Sequence, residues 1–177
     1  AFYTDAWSSF DTPPTTTLHR SDGKAIRTLR TTNTDKLDAL ELAPPELVHL
    51  KAADGTTDLH GMLFKPAGYD PEKTYPLIVS VYGGPHSKMM RNSFQRGGFE
   101  QQLAQLGFMV WKQDNRGLTS RGKAFETTTY LKLGQVDLDD QTEGVKFISK
   151  RPYIDGSRVG VYGHSYGGYM TSLALLK

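Results

Sequence analysis

No cysteine occurs in these 177 residues. That excludes disulfides, thiol catalysis and Cys-based zinc sites within the segment, and it leaves the compartment undecided. A dominant charge is missing too, since 21 Lys and Arg stand against 19 Asp and Glu for a net charge of +2. The basic residues are scattered rather than striped, so no nucleic-acid partner is expected. No apolar run approaches the ~18 residues that a membrane helix needs, so no membrane span is expected in this segment. The chain begins at Ala1 and carries no basic-then-apolar leader. A signal peptide removed upstream would leave the same beginning, so this says nothing about secretion. Internal repeats and low-complexity tracts are absent as well. The length suits one domain with a proper core, or part of a larger one.

What is present is an ordered series of short elements. Thr15–Arg20 and Ala25–Arg30 are β-prone runs around Asp22-Gly23, a strong hairpin signal. A lone hairpin is marginal in water, so these strands are expected to join a larger sheet whose other members lie before Ala1. Thr34 to Leu42 reads as a short helix capped by Thr34 and stopped at Pro44-Pro45, where a domain boundary is placed. The expected units are therefore residues 1–42 and 43–177. Beyond the boundary, Glu46–Ala53 and Thr57–Lys65 form a second hairpin around Asp54-Gly55. Pro76–Tyr82 is a nearly unbroken apolar strand of the kind buried on both faces of a parallel sheet. A helix over Phe99–Leu106, a strand over Phe108–Trp111, a helix over Val136–Lys150 and a strand from Arg158 follow. This alternation predicts an α/β fold with a doubly wound, mostly parallel sheet.

Chemistry concentrates at Gly163-His164-Ser165-Tyr166-Gly167, a G-x-S-x-G turn between an apolar strand and a helical run. A hydroxyl is a poor nucleophile until it stands clear of its backbone beside a base and oxyanion donors. Glycines on either side allow strand and helix to approach around a strained serine, which is the layout of a nucleophile elbow. The alternative is a glycine-rich turn whose serine merely caps the helix. In the elbow geometry one oxyanion donor is the amide after the nucleophile, here Tyr166, and a second comes from the loop after the third strand. That loop is Val81-Tyr82-Gly83-Gly84-Pro85-His86. The Tyr82 phenol could supply the donor, or Tyr82 could be a strand-end aromatic beside an ordinary turn.

The expected chain order on such a fold is serine, acid, histidine. His19, His49, His60 and His86 all precede Ser165, and His164 is adjacent on a sharp turn, so it is expected to pack beside that turn. No Asp, Glu or His follows Ser165. The base and its orienting acid are therefore expected outside these residues, and the segment by itself is expected to lack useful activity. Asp137, Asp139, Asp140 and Glu143 are read as charges favoured by a helix N-terminus rather than as a metal site. Asp114-Asn115-Arg116-Gly117 is read as an Arg–Asp pair shaping a loop at the catalytic edge of the sheet. No metal or cofactor is expected.

Several blocks then become recognisable in order: Leu63-Phe64-Lys65-Pro66, Tyr75–Val79, Val81–Pro85, Asp114–Gly117, Gly134–Val136, Asp140-Gln141 and Ser165–Tyr169. Together they resemble the prolyl oligopeptidase family of serine peptidases, in its dipeptidyl peptidase IV branch. The resemblance implies an α/β-hydrolase fold, incomplete in this segment, preceded by a β-hairpin from the last blade of a β-propeller. It implies Ser165 as nucleophile, with the Tyr82 hydroxyl and the Tyr166 amide as the oxyanion hole. The implied substrates are peptides with a free N-terminus, cut to release X-Pro or X-Ala dipeptides through an acyl-enzyme. It also implies a periplasmic or secreted location and leaves room for a homodimer in the complete protein. Many members of the branch carry Trp before the serine, where this chain has His164. Acylaminoacyl peptidases or esterases on the same fold, and a non-catalytic binding scaffold, are the alternatives.

Overall fold

A computed structural model describes all 177 residues. The N-terminal strands β1 (Phe2–Trp7), β2 (Thr15–Arg20) and β3 (Ala25–Thr31) form an antiparallel sheet in the order β1-β2-β3. The expected hairpin is there, but a further partner lies inside the chain, since Phe2–Trp7 pairs along the whole of β2. Nothing in residues 2–7 separates an apolar face from a polar one. Their strand is selected by backbone pairing to β2, and every residue of β1 and β3 stays exposed.

Helix α1 is shorter than the sequence suggests, Asp35–Asp38 rather than a run to Leu42. Thr34 does stand at its N-cap, but its hydroxyl is spent on the Asp38 carboxylate (2.9 Å) instead of a helix amide. This region meets the rest of the chain through few contacts. The Phe10 amide donates to Asn92 Oδ1 (2.9 Å), and Arg96 pairs with Asp38 (2.8 Å).

The larger sheet contains β4 (Glu46–Lys51), β5 (Asp58–Phe64), β6 (Tyr75–Ser80), β7 (Met109–Gln113) and β8 (Ile154–Tyr162), in the order β4-β5-β7-β6-β8. β6 pairs in parallel with β7 and with β8, whereas β4–β5 and β5–β7 are antiparallel. The sheet is thus mixed in equal parts, not mostly parallel. The reason is the Asp54-Gly55 hairpin, which returns β5 against β4 and feeds it antiparallel beside β7. Register slips between Pro76 and Leu77 of β6, where Gly156–Arg158 of β8 bulge out of the pairing.

Alternation along the central strands separates two cores. Leu59, Leu63, Leu77, Val79, Met109 and Trp111 face Ile148 of helix α4 (Val136–Ile148), while Met62, Phe64 and Val110 face Ala104 of helix α2 (Phe99–Ala104). Helices therefore cover both faces, as a doubly wound arrangement requires. Trp111 is fully buried, and burial of a side chain of this kind contributes about 1.5–3 kcal/mol. Its indole lies over Gly61 of β5, where any Cβ would collide with the ring. A short helix α3 (Lys123–Glu126) precedes α4, and α5 (Tyr166–Leu176) follows β8 on the α4 side, joined to it by a small cluster of Val81, Leu138 and Met170. β8 forms one edge of the sheet. No helix is long and apolar enough to cross a membrane.

Candidate active site

The three parallel strands end on one edge of the sheet, and each delivers a loop there: Val81–Ser87 after β6, Asp114–Gly117 after β7, and Gly163–Ser165 after β8. That edge is where open α/β sheets place their ligands. At the tip of the third loop Ser165 adopts φ 57° and ψ −120°, a conformation that costs a non-glycine residue about 1–3 kcal/mol. Two glycines hold it there. A Cβ on Gly163 would collide with the Gly167 backbone, and one on Gly167 would collide with the Val81 carbonyl. The Ser165 side chain is exposed and its hydroxyl makes no hydrogen bond, while its carbonyl accepts the amides of Gly168 (2.9 Å) and Tyr169 (3.2 Å).

Tyr166 begins α5, so its amide belongs to the first turn, which has no partner within the helix. Its ring lies 6.2 Å from that of Tyr82 and 5.3 Å from that of Tyr169. Gly84 fits between the first two, since a Cβ there would stand 2.7 Å from Tyr166 Cγ and 2.9 Å from Tyr82 Cε1. Tyr82 is half-buried and its hydroxyl makes no hydrogen bond. Of the three sequence-predicted site residues, Tyr82 and Tyr166 are thus packed together, and Ser165 joins them through the turn.

The loop that carries Tyr82 is tied down from below. Asn115 Nδ2 donates to the Gly83 carbonyl (3.1 Å), and Gln141 Nε2 donates to Asn115 Oδ1 (3.0 Å). Arg116 forks onto Asp140 at 2.9 and 2.8 Å and reaches Asp54 at 2.9 Å. The Asp140 carboxylate beside it raises the Arg116 guanidinium further above its ordinary value. Asp114 accepts the amides of Met89 (3.1 Å) and Met90 (3.0 Å). Its carboxyl is pushed up by burial, against those two hydrogen bonds. The Asp114–Gly117 segment shapes the loop as expected, but its arginine pairs with Asp140 and Asp54 outside the segment, while Asp114 is taken up by the Met89 and Met90 amides.

The acidic group on α4 goes beyond its expected role. Asp137 and Asp139 do stand in the first turn of α4, as a helix N-terminus favours, but Asp137 and Asp140 are also fully buried and carry specific partners that this reading does not foresee. Asp140 holds Arg116 and the Ala53 amide (2.9 Å), and Asp137 accepts the Tyr166 hydroxyl at 2.5 Å. Burial first, and then this bond, push the Tyr166 phenol well above its ordinary value. The sequence signals neither partner, because 29 residues separate Asp137 from Tyr166 and 24 separate Arg116 from Asp140.

No histidine reaches Ser165. His164 is exposed and its ring makes no hydrogen bond, so it is not packed beside the turn: on this edge of the sheet no element covers it. His86 is also exposed, 3.7 Å from Glu126, while His49 and His60 face each other across β4 and β5 with Nδ1 atoms 2.9 Å apart. His19 lies on the first sheet against the Gly23 carbonyl.

A strained, exposed serine on a strand–helix elbow, at the carboxyl edge of an α/β sheet, is the arrangement found in serine hydrolases. The model of the prolyl oligopeptidase family matches residues 95–177, and the chain belongs to that family of serine peptidases. It is 40% identical over 140 residues to dipeptidyl peptidase 8 of Homo sapiens, a match covering 77% of this chain and 16% of the relative. Among solved structures, one assigned as a dipeptidyl aminopeptidase IV of Bacteroides ovatus superposes with a TM-score of 0.92 at 39% identity, over 99% of this chain and 25% of that one. The dipeptidyl peptidase 4 of Porphyromonas gingivalis gives 0.87 at 34% identity with the same coverage. The chain thus spans between a sixth and a quarter of the length of these relatives.

Proposed function

We propose that the chain is part of a dipeptidyl peptidase: residues 43–177 the N-terminal half of its α/β-hydrolase domain, residues 1–42 the end of a β-propeller blade and its linker. The exposed elbow serine, held at φ 57°, carries this reading, and the dipeptidyl peptidase names of its relatives favour it over an acylaminoacyl peptidase or an esterase.

In the proposed mechanism Ser165 Oγ attacks the carbonyl of the second residue of a peptide with a free amino terminus. A histidine of the complete protein, outside these residues, takes the serine proton and passes it to the leaving amine. The Tyr166 amide and the Tyr82 hydroxyl donate to the tetrahedral oxyanion, and water then hydrolyses the acyl-enzyme to release an X-Pro or X-Ala dipeptide. Each well-placed donor in such a hole contributes about 3–4 kcal/mol to the barrier reduction. The expected release of p-nitroaniline from Gly-Pro-p-nitroanilide by the complete protein should fall by at least about 10³-fold in Ser165→Ala. Full activity in that variant, or a preference for N-acetylated over free-amine substrates, would refute the assignment.

A further inference from the structure

We propose that Asp137 is a positioning residue for the oxyanion hole, acting through the side chain of Tyr166. The inference rests on the reading of Ser165 and Tyr166 given above and names a part of that site which neither the elbow nor the family resemblance assigns.

A carboxylate at a helix N-terminus needs no explanation when it is exposed, as Asp139 is on the same turn. Asp137 is 0% exposed. Burial of a carboxylate is costly unless hydrogen bonds replace the lost water. Here one oxygen accepts the Leu138 amide at 3.0 Å, and the other accepts the Tyr166 hydroxyl at 2.5 Å, a charge-assisted bond of the short, strong kind.

That bond fixes the far end of Tyr166. Its near end is the first residue of α5, whose amide is the proposed oxyanion donor. Between the two ends the ring is confined by Tyr82, Tyr169 and the backbone of Gly84. Rotation of the first turn of α5 would have to break the hydroxyl bond or drive the ring into Gly84. Asp137 therefore sets where the Tyr166 amide points, and through the ring contact it also braces the face of Tyr82. Burial and the Asp137 bond both favour the protonated, donating form of the phenol. Displacement of a catalytic group by about 1 Å costs on the order of 10²-fold in rate.

The test uses the complete protein with Asp137→Asn, Tyr166→Phe, the double variant and, as a control, Asp139→Asn. Leu138 and Tyr166 donate to different carboxylate oxygens, and asparagine places an NH2 group where one of them stood, so it cannot accept at both positions. The readouts are kcat and KM on Gly-Pro-p-nitroanilide and the rate of fluorophosphonate labelling at Ser165. Each single variant is expected to lower kcat and labelling about 10- to 100-fold, with KM within about threefold of wild type. The double variant should be no worse than the weaker single, because both remove one interaction. Asp139→Asn should match wild type. Additive losses, a loss confined to KM, or wild-type rates in Asp137→Asn would overturn the proposal while leaving Ser165 as the nucleophile. Should Asp137→Asn not fold, wild-type kcat in Tyr166→Phe overturns it equally. Wild-type protein that fails to label at Ser165 would overturn the nucleophile reading and this proposal with it.

Discussion

Ser165 and Tyr82 differ in how far residue identity alone reveals them. The serine stands between two glycines whose necessity is steric, and the collisions at Gly163 and Gly167 show why the spacing is legible without coordinates. Tyr82 is a tyrosine at the end of an apolar strand, and its sequence context suits a plain strand end as well as a donor. What distinguishes it is a half-buried ring against Tyr166 with a hydroxyl left unbonded, a combination that a structural tyrosine would ordinarily resolve by finding a partner. Tyr82→Phe should keep the ring contact and remove the proposed donor. In the complete protein kcat is expected to fall about 10²- to 10³-fold with KM little changed. Steady-state kinetics on a dipeptidyl substrate would show it, and an unchanged kcat would remove Tyr82 from the hole. The partner of Asp137 is hidden for a related reason: an acid near a helix start looks alike whether it faces water or a buried phenol.

At the scale of elements, the hydrophobic pattern located β4 to β8 and the longer helices to within a few residues, because those segments alternate or run apolar against a real core. It missed β1, where both faces are exposed and pairing to β2 alone makes the strand. It also overextended α1, whose few residues lack a buried face. The join of β6, the elbow and α5 depends on backbone-to-backbone proximity. Gly167→Ala would press a methyl group into the Val81 carbonyl and against Tyr82 Cα at 3.2 Å, neither of which can swing aside. Destabilisation of about 1–3 kcal/mol is expected, together with loss of Ser165 labelling. Gly168→Ala is the matched control, since its nearest neighbour would be the Gly163 carbonyl at 3.6 Å. It should leave stability unchanged or raised by up to about 1 kcal/mol. Denaturant unfolding of the two purified variants decides between these outcomes, and equal effects would sink the steric argument.

Over the whole molecule, distant segments are held by a small number of ionic links, and Glu46, like Arg116, joins two partners at once. Glu46 opens β4 and accepts Lys65, just past the end of β5 (3.0 Å), and Arg151 from the turn before β8 (2.6 Å). The Arg151 hydrogen bond, with Lys65 behind it and against partial burial, lowers the Glu46 carboxyl below its ordinary value near 4.5. A lowered carboxyl contributes stability that is present above its unfolded value and lost as pH falls through the folded one. Wild type should therefore melt above Glu46→Gln at pH 7, and the gap should close as pH drops below about 4.5. Melting curves across that range test it, and a gap independent of pH would contradict it. The sequence by itself determined the α/β alternation, the elbow and the family blocks, because each depends on residue types within a few positions of one another. The antiparallel pairing of β5 with β7, the exposed position of His164, the Arg116–Asp140 clamp and the Tyr166–Asp137 bond were decided by the tertiary structure alone. The pairings and bonds join residues 24 or more positions apart, and the exposure of His164 depends on what the fold leaves uncovered; local pattern carries neither.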